Sequence, residues 1–186
     1  MFRTAAEIQH RLRALDIPSI VIGGLAVAVW GEPRLTRDID LKVALERDDT
    51  DRLLGALPPE WQALADDPVQ AFEHFGVLFL GTPGGVRFDL LLAENPFDRE
   101  AIERGRVVDV EPEVELVACT PEDLIIYKLV STRPQDHEDA RRVVMRQGDA
   151  LDDAYVVAWL TRFEQAVDDS TLVATYLDLR GPARQR

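Results

Sequence analysis

The residues with the clearest chemical potential are two acids separated by a single position. Asp38 and Asp40 lie in the run Arg34-Leu35-Thr36-Arg37-Asp38-Ile39-Asp40-Leu41. In a β-strand, residues two apart point to the same face, so these carboxylates project together while Ile39 and Leu41 face a core. Carboxylates this close repel unless a positive charge lies between them, and a hard cation such as Mg2+ is the usual answer. The alternative reading is a charged strand end salt-bridged to Arg34 and Arg37. Upstream, Ile20-Val21-Ile22-Gly23-Gly24-Leu25-Ala26 reads as an apolar strand running into a paired glycine that opens a helix. The free backbone N–H groups of such a turn can receive an anion. A carboxylate pair facing an anion-receiving turn is a nucleotide site in outline.

These residues also carry a resemblance. Gly23-Gly24, Arg34, Thr36 and Asp38-Ile39-Asp40 resemble the core motif of the polymerase-beta-type nucleotidyltransferase superfamily. More narrowly, they are similar to the bacterial AbiEii-like group, known as the toxin half of toxin–antitoxin pairs. The resemblance spans roughly residues 17–144. It implies a magnesium- or manganese-dependent enzyme, with two ions, that moves an NMP from an NTP to an acceptor hydroxyl. The implied acceptors are the 3′ end of tRNA, a protein side chain or a small molecule, with an antitoxin as protein partner. A non-catalytic nucleotide- or partner-binding module on the same fold is the competing reading.

A transfer of this kind needs carboxylates that bridge two metals, so a third acid is expected on a neighbouring strand. Asp89 fits, being the one acid among Phe88, Leu90, Leu91 and Leu92, where an unpaired carboxylate is costly. Its bland alternative is an outward-facing edge position, with Arg87 expected on a different face. A triphosphate also needs cations over its β and γ groups. The resemblance implies that Lys128, on the helix Pro121-Glu122-Asp123-Leu124-Ile125-Ile126-Tyr127-Lys128, reaches it. The alternative is a lysine whose stem runs along apolar surface into water. Lys42, on the strand face of Asp40, could serve instead or offset the carboxylates. In Arg133-Pro134-Gln135-Asp136-His137-Glu138-Asp139, Gln135 stands where the family carries Lys, and Asp139 is a candidate for orienting Lys128 or the donor. First-turn acids favoured by the helix dipole are the plainer account of that segment. His10, His74 and His137 lack metal-ligand spacing. Arg141, Arg142 and Arg146 read as a solvated basic face.

The elements that must position these groups follow from periodicity and punctuation. Residues 4–15 read as an amphipathic helix with a Thr4/Glu7 capping box and an Ile8, Leu12, Leu15 stripe. Strands are expected over 19–22, 38–45, 77–80, 86–92, 107–110 and 114–118, and helices over 25–30, 48–57, 95–105, 120–130, 135–147, 152–166 and 170–179. Residues 61–75 carry no clear period. Gly81-Thr82-Pro83-Gly84-Gly85 is a hairpin turn, since no Gly-Lys-Ser/Thr follows to make a P-loop. The expected fold is α+β: a nucleotidyltransferase-like short mixed sheet packed on helices, with a C-terminal helical subdomain. We place the α/β core at 1–118, the helical subdomain at 119–180 and a mobile tail at 181–186.

Composition bounds the reading. With 186 residues, 46% hydrophobic and 30% charged, the chain suits one globular domain or a domain with an appendage. No apolar run reaches membrane-span length, the N-terminus lacks a signal-peptide core, and Cys119 is alone, which together suit a reducing cytoplasm. The net charge of −13 argues against a broad nucleic-acid surface. Residues 1–44 carry six basic residues against five acids, leaving −14 on the remainder, so the motif end is locally positive.

Overall fold

The chain is described by a computed structural model covering residues 1–168 and 170–181. Residues 182–186 of the expected tail lie outside the described residues. The elements in order are α1 (Phe2–Ala14), β1 (Ser19–Val21), α2 (Gly23–Trp30), β2 (Asp38–Val43), α3 (Thr50–Ala56), β3 (Gln62–Ala63), α4 (Pro68–Phe75), β4 (Val77–Gly81) and β5 (Arg87–Leu92). They continue with α5 (Pro96–Glu103), β6 (Arg106–Glu111), β7 (Val114–Ala118), α6 (Pro121–Val130), α7 (Pro134–Gln147), α8 (Asp153–Val167) and α9 (Leu172–Arg180). The strands form one mixed seven-stranded sheet in the order β3-β4-β5-β2-β1-β7-β6. The α+β class is as expected.

The chain divides into two compact units, residues 1–25 with 35–119, and residues 26–34 with 120–186. The division passes through α2, whose first residues count with the sheet. In the first unit, β2 alternates strictly between buried and half-buried positions. Ile39, Leu41 and Val43 are fully buried, as are Phe88, Leu90 and Leu92 of β5 and Leu78 and Leu80 of β4, to within 4%. β2 pairs parallel to β5 with Asp38 opposite Arg87, Asp40 opposite Asp89 and Lys42 opposite Leu91. A one-residue slip would turn the whole apolar set outward, at roughly 2 kcal/mol per side chain, so the register is strongly fixed.

Local expectations met mixed outcomes. Asn95 and Thr120 cap α5 and α6, each accepting from the backbone N–H three residues on, with proline at the first helical position. The Thr4/Glu7 capping box does not form. α1 begins at Phe2, with Met1 in the cap position and no side-chain cap, because the helix extends past the expected start. Ile8 and Leu12 are buried as the stripe requires, while Leu15 lies beyond the helix and is 37% exposed. The segment without a clear period holds β3 and α4, the latter capped by Asp67 and ended by Gly76 at φ +64°.

The second unit is built on α6, which packs against α7, α8 and α9 and is buried along most of its length. Its interior contains charge as well as hydrocarbon. Lys128 on α6, 6% exposed, pairs with Asp136 at 2.5 Å and Asp139 at 3.0 Å, both on α7. Asp139, fully buried, also receives Nε and Nη2 of Arg34 at 2.8 Å each and the Gln135 amide at 3.2 Å. Asp136 is held further by Ser131 Oγ at 2.6 Å and by Arg133 at 2.8 Å. Burial raises the pKa of both acids, but the hydrogen bonds and cations outweigh it. Asp136 ends below its ordinary value, and Asp139 falls to about 2 under the bonds from Arg34 and Lys128.

A carboxylate with a depressed folded pKa contributes stability above its unfolded pKa and loses it on acidification. The Asp139 contribution, on the order of 2 kcal/mol for a shift from 3.8 to about 2, should therefore be intact above pH 4 and vanish toward pH 2. Denaturant unfolding from pH 7 to pH 2 should show that loss in the native protein and a flatter acid limb in Asp139→Asn. Lys128→Met leaves two buried acids short of a cation and should cost about 3 kcal/mol at pH 7 in the same measurement.

Candidate functional site

The charged face of the sheet is the counterpart of its apolar one. Cross-strand partners share a face, so the β2–β5 register places Asp38, Asp40, Arg87 and Asp89 together on the side away from Ile39 and Phe88. All four lie in the first unit. Asp38 accepts from Thr36 Oγ1 at 3.0 Å, which fixes its carboxylate beside the strand entrance. Asp40 lies against the start of α2: a Cβ added to Gly23 would fall 1.9 Å from Asp40 Oδ2. Gly23 also has φ +62°, so glycine is required there on two independent grounds. The Ile22 N–H donates to the Asp40 carbonyl at 3.0 Å, tying the end of β1 to the middle of β2. Gly24 follows in the first turn of α2, where backbone N–H groups have no intrahelical acceptor.

Asp89 is 7% exposed and its partner is Arg87. Arg87 Nε and Nη2 donate to its two oxygens at 2.7 and 2.8 Å. This corrects the expectation that Arg87 and Asp89 face apart, because strand residues two apart share a face. The Asp89 hydrogen bond, followed by the charges of Asp89, Asp38 and Asp40, holds the Arg87 pKa above its ordinary value. The guanidinium carbon lies 4.7 Å from the centroid of the Phe79 ring on β4. Sequence reasoning missed this arginine as a site residue, although its position two before Asp89 was the available signal.

Lys42 shares the strand face of Asp40 but is committed elsewhere. Its ammonium donates to Asp98 at 2.9 Å and to the Leu92 carbonyl at 3.3 Å, and Asp98 is 1% exposed at the start of α5. Arg34, Lys128 and Asp139 belong to the second unit and form the buried ionic cluster described above. There Asp139 lies 3.0 Å from the Lys128 ammonium. Asp136, unremarked in the sequence except as a first-turn acid, is the other anchor of that lysine. His137 bonds the Ser131 carbonyl at 2.7 Å, and Arg141 and Arg142 both pair with Glu138, whose pKa their hydrogen bonds lower to about 2.

The donor set of Asp38, Asp40 and Asp89 is all carboxylate oxygen, the chemistry of a hard divalent cation. By type and register the three fit such an ion, and the space left by the missing Gly23 side chain is taken by the Asp40 carboxylate. Among the described residues, no three His, Cys, Asp or Glu side chains are gathered closely enough to hold a metal as they stand. Both oxygens of Asp89 are turned to Arg87 instead. Among the described residues no helix is long and apolar enough to cross a membrane.

No family model and no curated protein matches this chain. Solved structures do. The crystal structure of ANT(2'')-Ia in complex with adenylyl-2''-tobramycin aligns with a TM-score of 0.57 at 14% identity, covering 87% of this chain and 98% of that one. An antigenic nucleotidyltransferase-like protein from Paracoccidioides brasiliensis aligns with a TM-score of 0.54 at 14% identity, covering 94% and 92%. The solution structure of the antibiotic-resistance factor ANT(2'')-Ia gives 0.53 at 15%, covering 90% and 97%. At these identities the likeness is one of fold. The fold of this chain is that of the nucleotidyltransferases.

Proposed function

We propose that this chain is a nucleotidyltransferase that moves an NMP from an NTP to an acceptor hydroxyl and releases pyrophosphate. One observation carries the reading: Asp40 and Asp89 stand in register on adjacent strands, with Asp38 on the same face and Gly23 packed onto the Asp40 carboxylate. Asp38, Asp40 and Asp89 would hold Mg2+ or Mn2+, as two ions. Bound there, the metal supplies charge neutralisation at the transferring phosphate and lowers the pKa of the attacking hydroxyl.

The chain's own residues supply positioning. Gly23 and Gly24 leave the N-terminal turn of α2 without side chains, so its backbone N–H groups can approach a phosphate. Thr36 keeps Asp38 oriented through its hydroxyl. The resemblance adds Arg34, Lys128 and Asp139 as nucleotide-binding residues. Within their own unit, Asp139 fixes both cations, and Arg34 is the more accessible, at 25% side-chain exposure against 7% for Lys128. Arg34 is therefore the better candidate for a direct phosphate contact, with Lys128 placing Asp139. The toxin role, an antitoxin partner and the choice among an RNA 3′ end, a protein hydroxyl and a small molecule come from the AbiEii-like resemblance alone.

The alternative, a binding module without turnover, is favoured by the Arg87–Asp89 pairing, which already neutralises the third carboxylate. Incubation with labelled NTPs, Mg2+ and whole host extract, small molecules included, separates the two. Pyrophosphate release with label on any acceptor supports the enzyme, whereas nucleotide binding without release supports the module.

Asp40→Asn should abolish pyrophosphate release and the Mg2+- and NTP-induced rise in Tm, while the ligand-free Tm stays level or rises as like-charge repulsion is relieved. A mutant that keeps the wild-type Tm rise would remove Asp40 from the cation site. Gly23→Ala, strained at positive φ and driven into Asp40, should lose about 1–2 kcal/mol in denaturant unfolding and lose nucleotide-induced stabilisation. Arg34→Ala should weaken NTP binding more than NMP binding by calorimetry, since an NMP lacks the β and γ groups.

A further inference from the structure

Arg87 sits on the carboxylate face with Asp38 as its strand partner and Asp89 as its salt-bridge partner. Its fork engages both oxygens of Asp89, at 2.7 and 2.8 Å, so each already has one acceptor site committed to a cation. Among the described residues the three acids are not gathered as a metal site, and Asp89 is engaged by Arg87. The two partners differ in freedom. Asp89 has 10% of its side chain exposed and Arg87 has 50%, so the arginine is the partner able to leave. Phe79, on the next strand and directly opposite Asp89, already lies under the guanidinium, 4.7 Å from its carbon to the ring centroid, and this contact does not depend on the bond to Asp89.

Resting on the cation-site reading above, we infer that Arg87 is a resident counter-cation that sets the divalent-cation affinity of the Asp38–Asp40–Asp89 site. It neutralises Asp89 in the free protein and must surrender that carboxylate before an ion can be shared by all three acids. The exchange is physically reasonable. A half-exposed guanidinium is rehydrated on release, the Phe79 ring keeps it close, and a divalent ion brings twice the charge at a shorter distance. Arginine keeps its proton at every working pH, so Arg87 leaves Asp89 by exchange with another cation and not by deprotonation. Arg87 is thus a positioning residue acting through Asp89.

The test measures Mn2+ affinity directly, by the paramagnetic resonance signal of the free ion, in wild type, Arg87→Gln, Arg87→Lys, Asp89→Asn and the Arg87→Gln/Asp89→Asn double variant. Arg87→Gln should bind Mn2+ roughly tenfold more tightly, the loss of one charge-assisted bidentate competitor. Arg87→Lys, which cannot fork onto a carboxylate, should fall between it and wild type. In the Asp89→Asn background the same Arg87→Gln change should give a clearly smaller gain. Unchanged or weaker Mn2+ binding by Arg87→Gln would overturn the inference while leaving the cation site standing. An equal gain with and without Asp89 would overturn it too, since Arg87 would then act as bulk charge. Absence of Mn2+ binding in all five proteins would overturn this inference together with the cation-site reading.

Discussion

The carboxylates stand where they do because of the side of the sheet to which they do not belong. Ile39, Leu41 and Val43 on β2 and Phe88, Leu90 and Leu92 on β5 are buried on one face, and strand geometry then forces Asp38, Asp40 and Asp89 onto the other. Register slippage is opposed by hydrophobic burial, not by anything the acids do. The charged face therefore inherits its precision from the core. The parallel pairing of β2 with β5 completes the arrangement, setting Asp40 directly across from Asp89.

A face arranged this way has to be accommodated locally, and each acid is accommodated differently. Thr36 donates to Asp38, the glycine turn leaves room for Asp40, and Arg87 forks onto Asp89. Lys42, which could have served the same face, is instead drawn to the buried Asp98 at the start of α5. The second unit uses the opposite economy. There the charges are sunk into the interior, where Lys128, Arg34, Asp136 and Asp139 satisfy one another among the helices. A buried network of this kind is a weak source of net stability and a strong penalty against partial disruption.

Much of this was legible in the sequence. The Asp-x-Asp spacing, the paired glycine and the isolated Asp89 each carry a local signature, and alternation is sufficient to say which residues share a face. The helix caps at Asn95 and Thr120 were readable for the same reason, since they depend on side chains within three residues. What was not legible depends on pairings between distant positions. The family resemblance suggested Asp139 as a partner of Lys128, but nothing near that lysine says that Asp136 joins it, and nothing near Lys42 points to Asp98. The Thr4/Glu7 motif failed because a capping box requires the helix to begin there, and α1 begins earlier. The Arg87 error was of another kind, because the period-two rule that united Asp38 with Asp40 applies equally to Arg87 and Asp89.

The distribution of amines has a practical side. The chain has lysine only at positions 42 and 128, and both ammonium groups are held in ion pairs, with side chains 14% and 7% exposed. An ammonium buried against a carboxylate is a poor nucleophile, because its lone pair is tied up as a proton and its approach is blocked. Acylation, reductive methylation and crosslinking at the lysine side chains should accordingly be slow in the folded protein, the α-amine aside, while the same reagents label both lysines readily once it unfolds. Lysine reactivity is in effect a built-in reporter of whether this protein is folded.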